Sequence, residues 1–552
     1  MVEISSSSFL EAGGALEQAW QKADGPVWYA VRRNGLKLSG TWCKPDDLDS
    51  FLLEVRRAAE SSSADAVEVC FSHSYRDVGW DRVREMFSNN RRGLIGIEIS
   101  FGPHLRRIAP TTTIATNRPL LREIDYFCHE LGATPKAFRA QASLRAFEAD
   151  QFLLRPQGDP AVVSLHRGAT TVLPEEVDAH GIREMAASMA RWMLVNLRAD
   201  GNLTYKYWPS RGRESDADNT IRRFMATVCL FRAARAFRSE AMMRGADLNL
   251  RFNLDRFYLQ QGRRGVVQWN GSAKLGAAAL AALAILHHPQ RARFGDELRS
   301  LLRGIDDLWQ PDGSFRTFHF PGDRNDNQNF YPGEALLLWA TLLKLSANAD
   351  LHSRFMRSFH YYREWHRAAR NPAFIPWHTQ AYAIVHSISE DPELADFIFE
   401  MNDWLLPVQQ WGGRLDPQLW GRFYDPSRPF GPPHASSTGV YMEGLADASW
   451  LARKRGDQAR AEAYETAIWR GLRSIRQLQF RDEVDSFYVS KRKSVMGGVR
   501  TEAYDNEIRV DNVQHPLMAI LKLLHHPEFR LASDAGRDQG SAGSSGHDDA
   551  GP

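Results

Sequence analysis

KLGAAALAALAIL at residues 274–286 and EALLLWATLLKL at 334–345 are apolar or small at almost every position. A helix with no polar face has to be covered on all sides. Segments of the same kind begin near residues 219, 274, 334, 380, 438 and 511. Between them fit helices charged along one side, near 181–198, 233–246, 292–307, 350–363, 391–405 and 457–478. RARFGDELRSLLRGI and DQARAEAYETAIWRGLRSI are examples of this second set. Six buried helices alternating with six half-exposed ones predict an inner and an outer ring, an all-α (α/α)6 toroid over residues 176–530.

Loop lengths add a polarity. Connections from an inner helix to the next outer one are short, as in HHPQR at 287–291 and SANAD at 346–350. Connections from outer to inner are long, at 200–219, 309–333, 410–437 and 484–510. In an alternating ring all inner helices run the same way, so the long loops share one face with the inner-helix N-termini. Long loops on a rigid scaffold are the usual place for function, and helix N-termini favour anionic or hydroxyl-rich ligands.

Ahead of this region, residues 1–175 read as a mixed α+β domain. Strands are expected at 27–33, 66–72, 94–101 and 108–115, and helices at 46–60, 79–88 and 119–132. The stretch 91–117 holds neither GxGxxG nor GxxxxGK[ST], so its glycines read as turn and sheet-edge residues. Residues 531–552 are Gly, Ser and Asp with little to bury, and are expected to form a disordered tail.

Composition removes several classes of function. Among 552 residues the net charge is +2, spread without basic or acidic blocks, which argues against nucleic acid as a partner. No apolar run reaches the roughly 18 residues of a membrane span, and no leader pattern opens the chain, so a cytoplasmic location without membrane insertion is expected. The four cysteines, at 43, 70, 128 and 229, have no CxxC spacing, and there is no HExxH or EF-hand loop. No metal and no cofactor is therefore expected, and the sequence names no protein partner. LHHP recurs at 286–289 and 524–527, where inner helices end, and reads as helix-end chemistry.

The long loops are rich in residues suited to sugars. A pyranose offers an apolar CH face to aromatic rings and a rim of hydroxyls to polar groups. Trp208, Trp377 and Trp411 are the expected stacking platforms, and Arg414 and Arg509 the expected holders of anionic groups. Tyr205, Arg222, Tyr331, His378, His434, Tyr441 and His515 complete the candidate substrate-binding set.

The inner-helix entries DGNLTYKYWP, FYPGEALL, STGVYMEGLADA and IRVDNVQH resemble those of (α/α)6 toroids over residues 176–528. These include the six-hairpin glycosidases, the N-acylglucosamine 2-epimerase type and the C-terminal domains of glucuronyl C5-epimerases. The resemblance implies an architecture that hosts hydrolases, lyases and epimerases, and it transfers no catalytic residue. A carbohydrate or glycan is the expected partner, and a glycoside hydrolase with paired carboxylates the leading expectation. Inverting hydrolysis needs two carboxylates about 6.5–9.5 Å apart with water between them. Glu443 and Asp511 are the first choices, with Asp312 and Glu334 behind them. Each has a plainer reading, since Glu334 and Glu443 suit first-turn positions and Asp312 in PDGS suits a turn. A cofactor-independent epimerase or uronate lyase would instead rely on the His and Tyr residues. A non-catalytic glycan-binding or assembly protein would use the same mouth without chemistry.

Overall fold

The computed structural model describes residues 13–526, apart from 157, 159 and 160. The expected tail at 531–552 lies outside the described residues.

The first part of the chain builds an antiparallel sheet in the order β2-β1-β3-β6-β4-β5, with β7 also beside β6. Its strands are β1 (Val27–Arg33), β2 (Leu36–Cys43), β3 (Ala66–Asp77), β4 (Ile95–Phe101), β5 (His104–Ile108), β6 (Ser143–Leu154) and β7 (Val162–Leu165). Helices α1 (Gly13–Lys22) and α2 (Leu48–Ser62) bury Leu16, Phe51 and Val55 against Tyr29, Val69 and Phe71 of the sheet. Three further helices follow, the four-residue α3 (Val83–Met86), α4 (Pro110–Ala115) and α5 (Leu120–Glu130), before α6 (Pro135–Gln141). Ile124, Phe127 and Phe138 of this group pack on Ile95, Ile97 and Leu144.

Two expectations for this part need correction. Residues 108–115 are not a strand: β5 ends at Ile108 and α4 begins at Pro110. The β-branched run misleads there, because Pro110 at the first helical position has a suitable φ and needs no N–H partner. Thr113 then returns its hydroxyl to the Pro110 carbonyl at 2.7 Å. The helix expected at 79–88 shrinks to the single turn of α3.

From residue 179 the chain is a closed double ring. The inner helices are α8 (Thr220–Ala236), α10 (Leu275–His287), α12 (Tyr331–Leu345), α14 (Ile375–Ser389), α16 (Ala435–Lys454) and α18 (Val510–His525). The outer ones are α7 (Ala179–Val195), α9 (Glu240–Phe257), α11 (Gly295–Asp306), α13 (Ala349–Ala368), α15 (Pro392–Leu405) and α17 (Gln458–Leu478). Each inner helix packs on the next, and α18 returns to α8, which closes the ring. Each outer helix packs mainly on one inner helix, α7 on α18 and the rest on an immediate neighbour in sequence. The (α/α)6 toroid is therefore read directly from the packing. In α10 every residue from Leu275 to Ile285 is buried, as its lack of a polar face requires.

One outer helix is displaced from its expected place. Residues 233–236 finish α8, and the outer helix starts at Glu240, capped by Ser239, rather than spanning 233–246. The long loops also hold strands that their polar composition conceals. Lys206–Trp208 (β8), Arg213–Glu214 (β9), Arg500–Glu502 (β14) and Asp505–Arg509 (β15) form a sheet in the order β14-β15-β8-β9, joining the entries of α8 and α18. Tyr258–Gln261 (β10), Arg264–Trp269 (β11), Ser272–Lys274 (β12) and Phe318–Phe320 (β13) form another at the entries of α10 and α12. Among the described residues no helix is long and apolar enough to cross a membrane.

Candidate active site

The N-terminal ends of five inner helices surround a cavity of about 350 Å³. That is within the size of small-molecule sites. Arg222 of α8, Tyr331 and Glu334 of α12, Trp377 of α14, Tyr441 of α16 and Asp511, Gln514 and His515 of α18 line it. The loop ahead of α16 roofs one side with Phe423, Tyr424, Phe430 and His434.

Asp511 is the ionised carboxylate of the cavity. It is fully buried, which alone would raise its pKa, but the Arg222 and Arg509 guanidinium groups hold it well below the usual carboxylate range. Arg222 Nε donates to Oδ2 at 2.6 Å, while Arg509 gives Nε to Oδ1 at 3.0 Å and Nη2 to Oδ2 at 2.7 Å. Arg509 Nη2 also reaches the Ser436 hydroxyl at 3.1 Å, so the entries of α16 and α18 are tied together. In return Asp511 raises the pKa of Arg222.

Glu334 is the opposite case. Burial pushes its pKa up to about 8, although Arg222 and Lys274 pull the other way. Its Oε2 is buried without a hydrogen-bond partner. This carboxyl fits because α10 has Gly276 beside it: a Cβ there would collide with Glu334 Oε2. Near neutral pH Glu334 is thus a protonated acid in the cavity wall.

Glu443 does not line the cavity. It lies fully buried one layer behind, where its Oε1 accepts from His515 Nδ1 at 2.7 Å. A carboxylate on Nδ1 fixes the tautomer and leaves the lone pair on Nε2, and His515 lines the cavity. Trp377 meets the His515 ring edge to face at 5.8 Å between centroids. In the ring order α12 stands opposite α18, so Glu334 and His515 enter the cavity from opposite sides.

Among the other candidates, His434 caps α16 through the Ser437 N–H, and burial lowers its pKa to about 4, so it is neutral. Tyr205 stands beside Arg222, and its carbonyl accepts from Val510 N–H at 2.8 Å. The structure brings the remaining candidates elsewhere. Asp312 is exposed and closes its own turn through Ser314, at 2.9 Å to N–H and 2.7 Å to the hydroxyl. His378 is fully buried, stacked on Phe374 at 3.5 Å, with Nδ1 bonded to the Phe374 carbonyl at 2.8 Å. Trp208 donates to Glu507 at 2.9 Å between Arg211 and Arg213, and Trp411 packs on Trp420 and Trp469. Arg414 is exposed on the loop.

Two cavity groups, Gln514 and Asn327, escape a residue-by-residue reading. Gln514 lines the wall with both its amide N and O buried and unpartnered. Asn219 and Asn327 also line it, and Lys274 stands behind at the α10 entry. Helical spacing was the available signal for Gln514, since positions 511, 514 and 515 share one face.

No family model and no curated protein matches the chain. Solved structures do match over part of the chain. The GH76A alpha-1,6-mannanase of Salegentibacter sp. HEL1_6 is 10% identical, with 62% of this chain and 99% of that one covered and a TM-score of 0.46. The unsaturated glucuronyl hydrolase of Streptococcus agalactiae is 10% identical over 65% and 95%, with a TM-score of 0.44. A D-mannose isomerase is 10% identical over 63% and 98%, with a TM-score of 0.49.

Proposed function

We propose that this protein is a carbohydrate-active enzyme that moves a carbon-bound proton in a small sugar, as an epimerase or aldose–ketose isomerase. The observation that carries this reading is the His515–Glu443 pair at 2.7 Å, set across the cavity from a protonated Glu334. A positioned base and acid are what proton transfer beside a carbonyl requires.

His515 Nε2 takes the proton from the carbon next to the sugar carbonyl, and the electron pair moves onto the carbonyl oxygen. Arg222 steadies that oxyanion, since its Nη atoms have no hydrogen-bond partner among the described residues while Nε is held by Asp511. A proton from Glu334 on the opposite face completes an epimerisation. Delivery of a proton from His515, which exchanges with solvent, to the former carbonyl carbon, as the proton of the adjacent hydroxyl passes to the oxyanion, completes an isomerisation. Trp377 and Tyr331 offer surfaces for the CH face, and Gln514 and Asn327 offer hydroxyl partners.

A hydrolase is the second reading, favoured by one observation: Glu334 and Asp511 have opposite protonation states in one cavity. An acid and a carboxylate held apart in pKa are the pair that glycoside cleavage uses. Against it, both Asp511 oxygens already accept from arginines, which leaves little capacity to activate water.

The test is a panel of aldoses, ketoses, uronic acids and oligosaccharides, assayed with wild type and His515→Gln. Interconversion of a monosaccharide, lost by about 10²-fold or more in the variant, is expected. Release of reducing ends with His515→Gln still active would select the hydrolase.

A further inference from the structure

The sheet domain meets the toroid on its loop face, and besides the contacts of Thr170 and Val172 with α17 it bonds the two loops that deliver His434 and Asp511. Asn117 Nδ2 donates to Asp505 Oδ1 at 2.9 Å, and Asn117 Oδ1 accepts from Asn506 N–H at 3.2 Å. Those two residues open β15, whose far end is Arg509, immediately before α18. On the other loop, Asp416 Oδ2 receives Arg167 Nη2 and His166 Nε2, both at 2.9 Å. Gln418 reaches back from the same turn to the His166 carbonyl at 2.7 Å. That loop runs on through Phe423 and Tyr424 to His434 at the start of α16.

The two anchors are joined inside the sheet domain. Arg92 Nη2 donates to Asn117 Oδ1 at 2.7 Å, and the Arg92 carbonyl accepts from Arg167 Nη1. Arg92 and Arg167 are 5% and 0% exposed. An unbroken chain of hydrogen bonds therefore runs Asp505–Asn117–Arg92–Arg167–Asp416, with the two arginines buried at its centre and the other three residues half-buried. Arg422 and Glu502 pair the same two loops directly, beside it. Buried charged groups hold a geometry firmly, because breaking one contact strands another without solvent.

We infer that the sheet domain is a brace for the active site, with Asn117 and Arg92 as positioning residues that set Arg509 and Asp511 against His434 and Ser436. It rests on the toroid cavity being the active site, and holds for either reaction proposed there. Neither residue touches the cavity, so both act through the loops.

Asn117→Gly is the cleanest probe. Asn117 has φ +53°, which glycine adopts freely, so the variant removes the amide and spares the backbone. Hydrogen exchange of the full-length protein is expected to quicken about tenfold at amides 500–509, with the α11 and α13 amides unchanged. Turnover is expected to fall about tenfold with KM little changed and the melting temperature within about 3 °C, since ångström displacements of positioned groups cost that much or more. Asp505→Asn keeps an oxygen for the Asn117 amide and is expected to behave as wild type. Unchanged exchange at 500–509, or lower stability with undiminished turnover in Asn117→Gly, would overturn the inference. If wild type turns over no sugar, that counts against the proposed function, while the exchange measurement still decides the brace.

Discussion

Two walls of one cavity hold carboxylates in the first turn of an inner helix, and they end in opposite protonation states. On the α18 wall, Asp511 is ionised and saturated by Arg222 and Arg509. On the α12 wall, Glu334 is neutral, with an oxygen that has no partner. Burial is near complete for both, so burial alone does not distinguish them. The difference is the reach of a guanidinium: Arg222 donates directly to Asp511 and only influences Glu334 at a distance. Charge state in such a site is set by hydrogen-bond partners more than by residue type or helix position.

The largest effect is expected where the saturated wall is broken. Asp511→Asn leaves two guanidinium groups short of their counter-charge, and stability should drop by about 3–5 kcal/mol in urea unfolding. A drop below about 1 kcal/mol would mean that solvent replaces the carboxylate, and the contrast between the walls would dissolve. Glu443→Gln sharpens the comparison from behind, because an amide can present either donor or acceptor to His515 Nδ1. Activity should fall about 10²-fold or more with the fold intact.

Gly276→Ala tests the unsaturated wall. The added methyl collides with the Glu334 carboxyl, and overpacking of about 1–3 kcal/mol should appear in thermal unfolding. Glu334→Gln tests the same wall through pH. The Glu334 pKa is raised in the folded state from an ordinary 4.5 to about 8, so the native protein binds an extra proton between those values. Stability contributed by the neutral form is complete below about 4.5 and is lost as pH rises through about 8. Glu334→Gln should flatten that slope and be the more stable protein at pH 9 relative to wild type. The smallest effect belongs to Asp312→Ala, expected within about 0.5 kcal/mol and with full activity, because that residue closes an exposed turn.

The ring was legible because its signal is compositional and repeated: α10 and α12 admit no exposed face, and short and long connections alternate. The boundary errors have local causes. The α8–α9 turn hides inside a continuous helical pattern, and Pro110 converts a β-branched run into a helix. Site residues were legible where side chains follow the inner-helix face, as Glu334, Trp377, Asp511 and His515 do. Their roles were not. Glu443 was expected to touch substrate, and it stands behind His515, because whether a first- or second-turn side chain faces the axis or a neighbour depends on packing between helices. Trp208 and Trp411 share the composition of a sugar platform and stack on protein instead, and nothing in their spacing separates the two uses. The sheet domain's link to the cavity was invisible, since Asn117 and Asp505 are far apart in sequence.

The most direct test of the central claim is a proton NMR time course in D₂O, with wild type and His515→Gln, over aldoses, ketoses and uronic acids. The account predicts that wild type places deuterium on a carbon next to the sugar carbonyl, with or without a change of sugar, and that the variant does not. Turnover without any carbon-bound deuterium, together with new reducing ends from an oligosaccharide, would contradict it and return the cavity to hydrolysis.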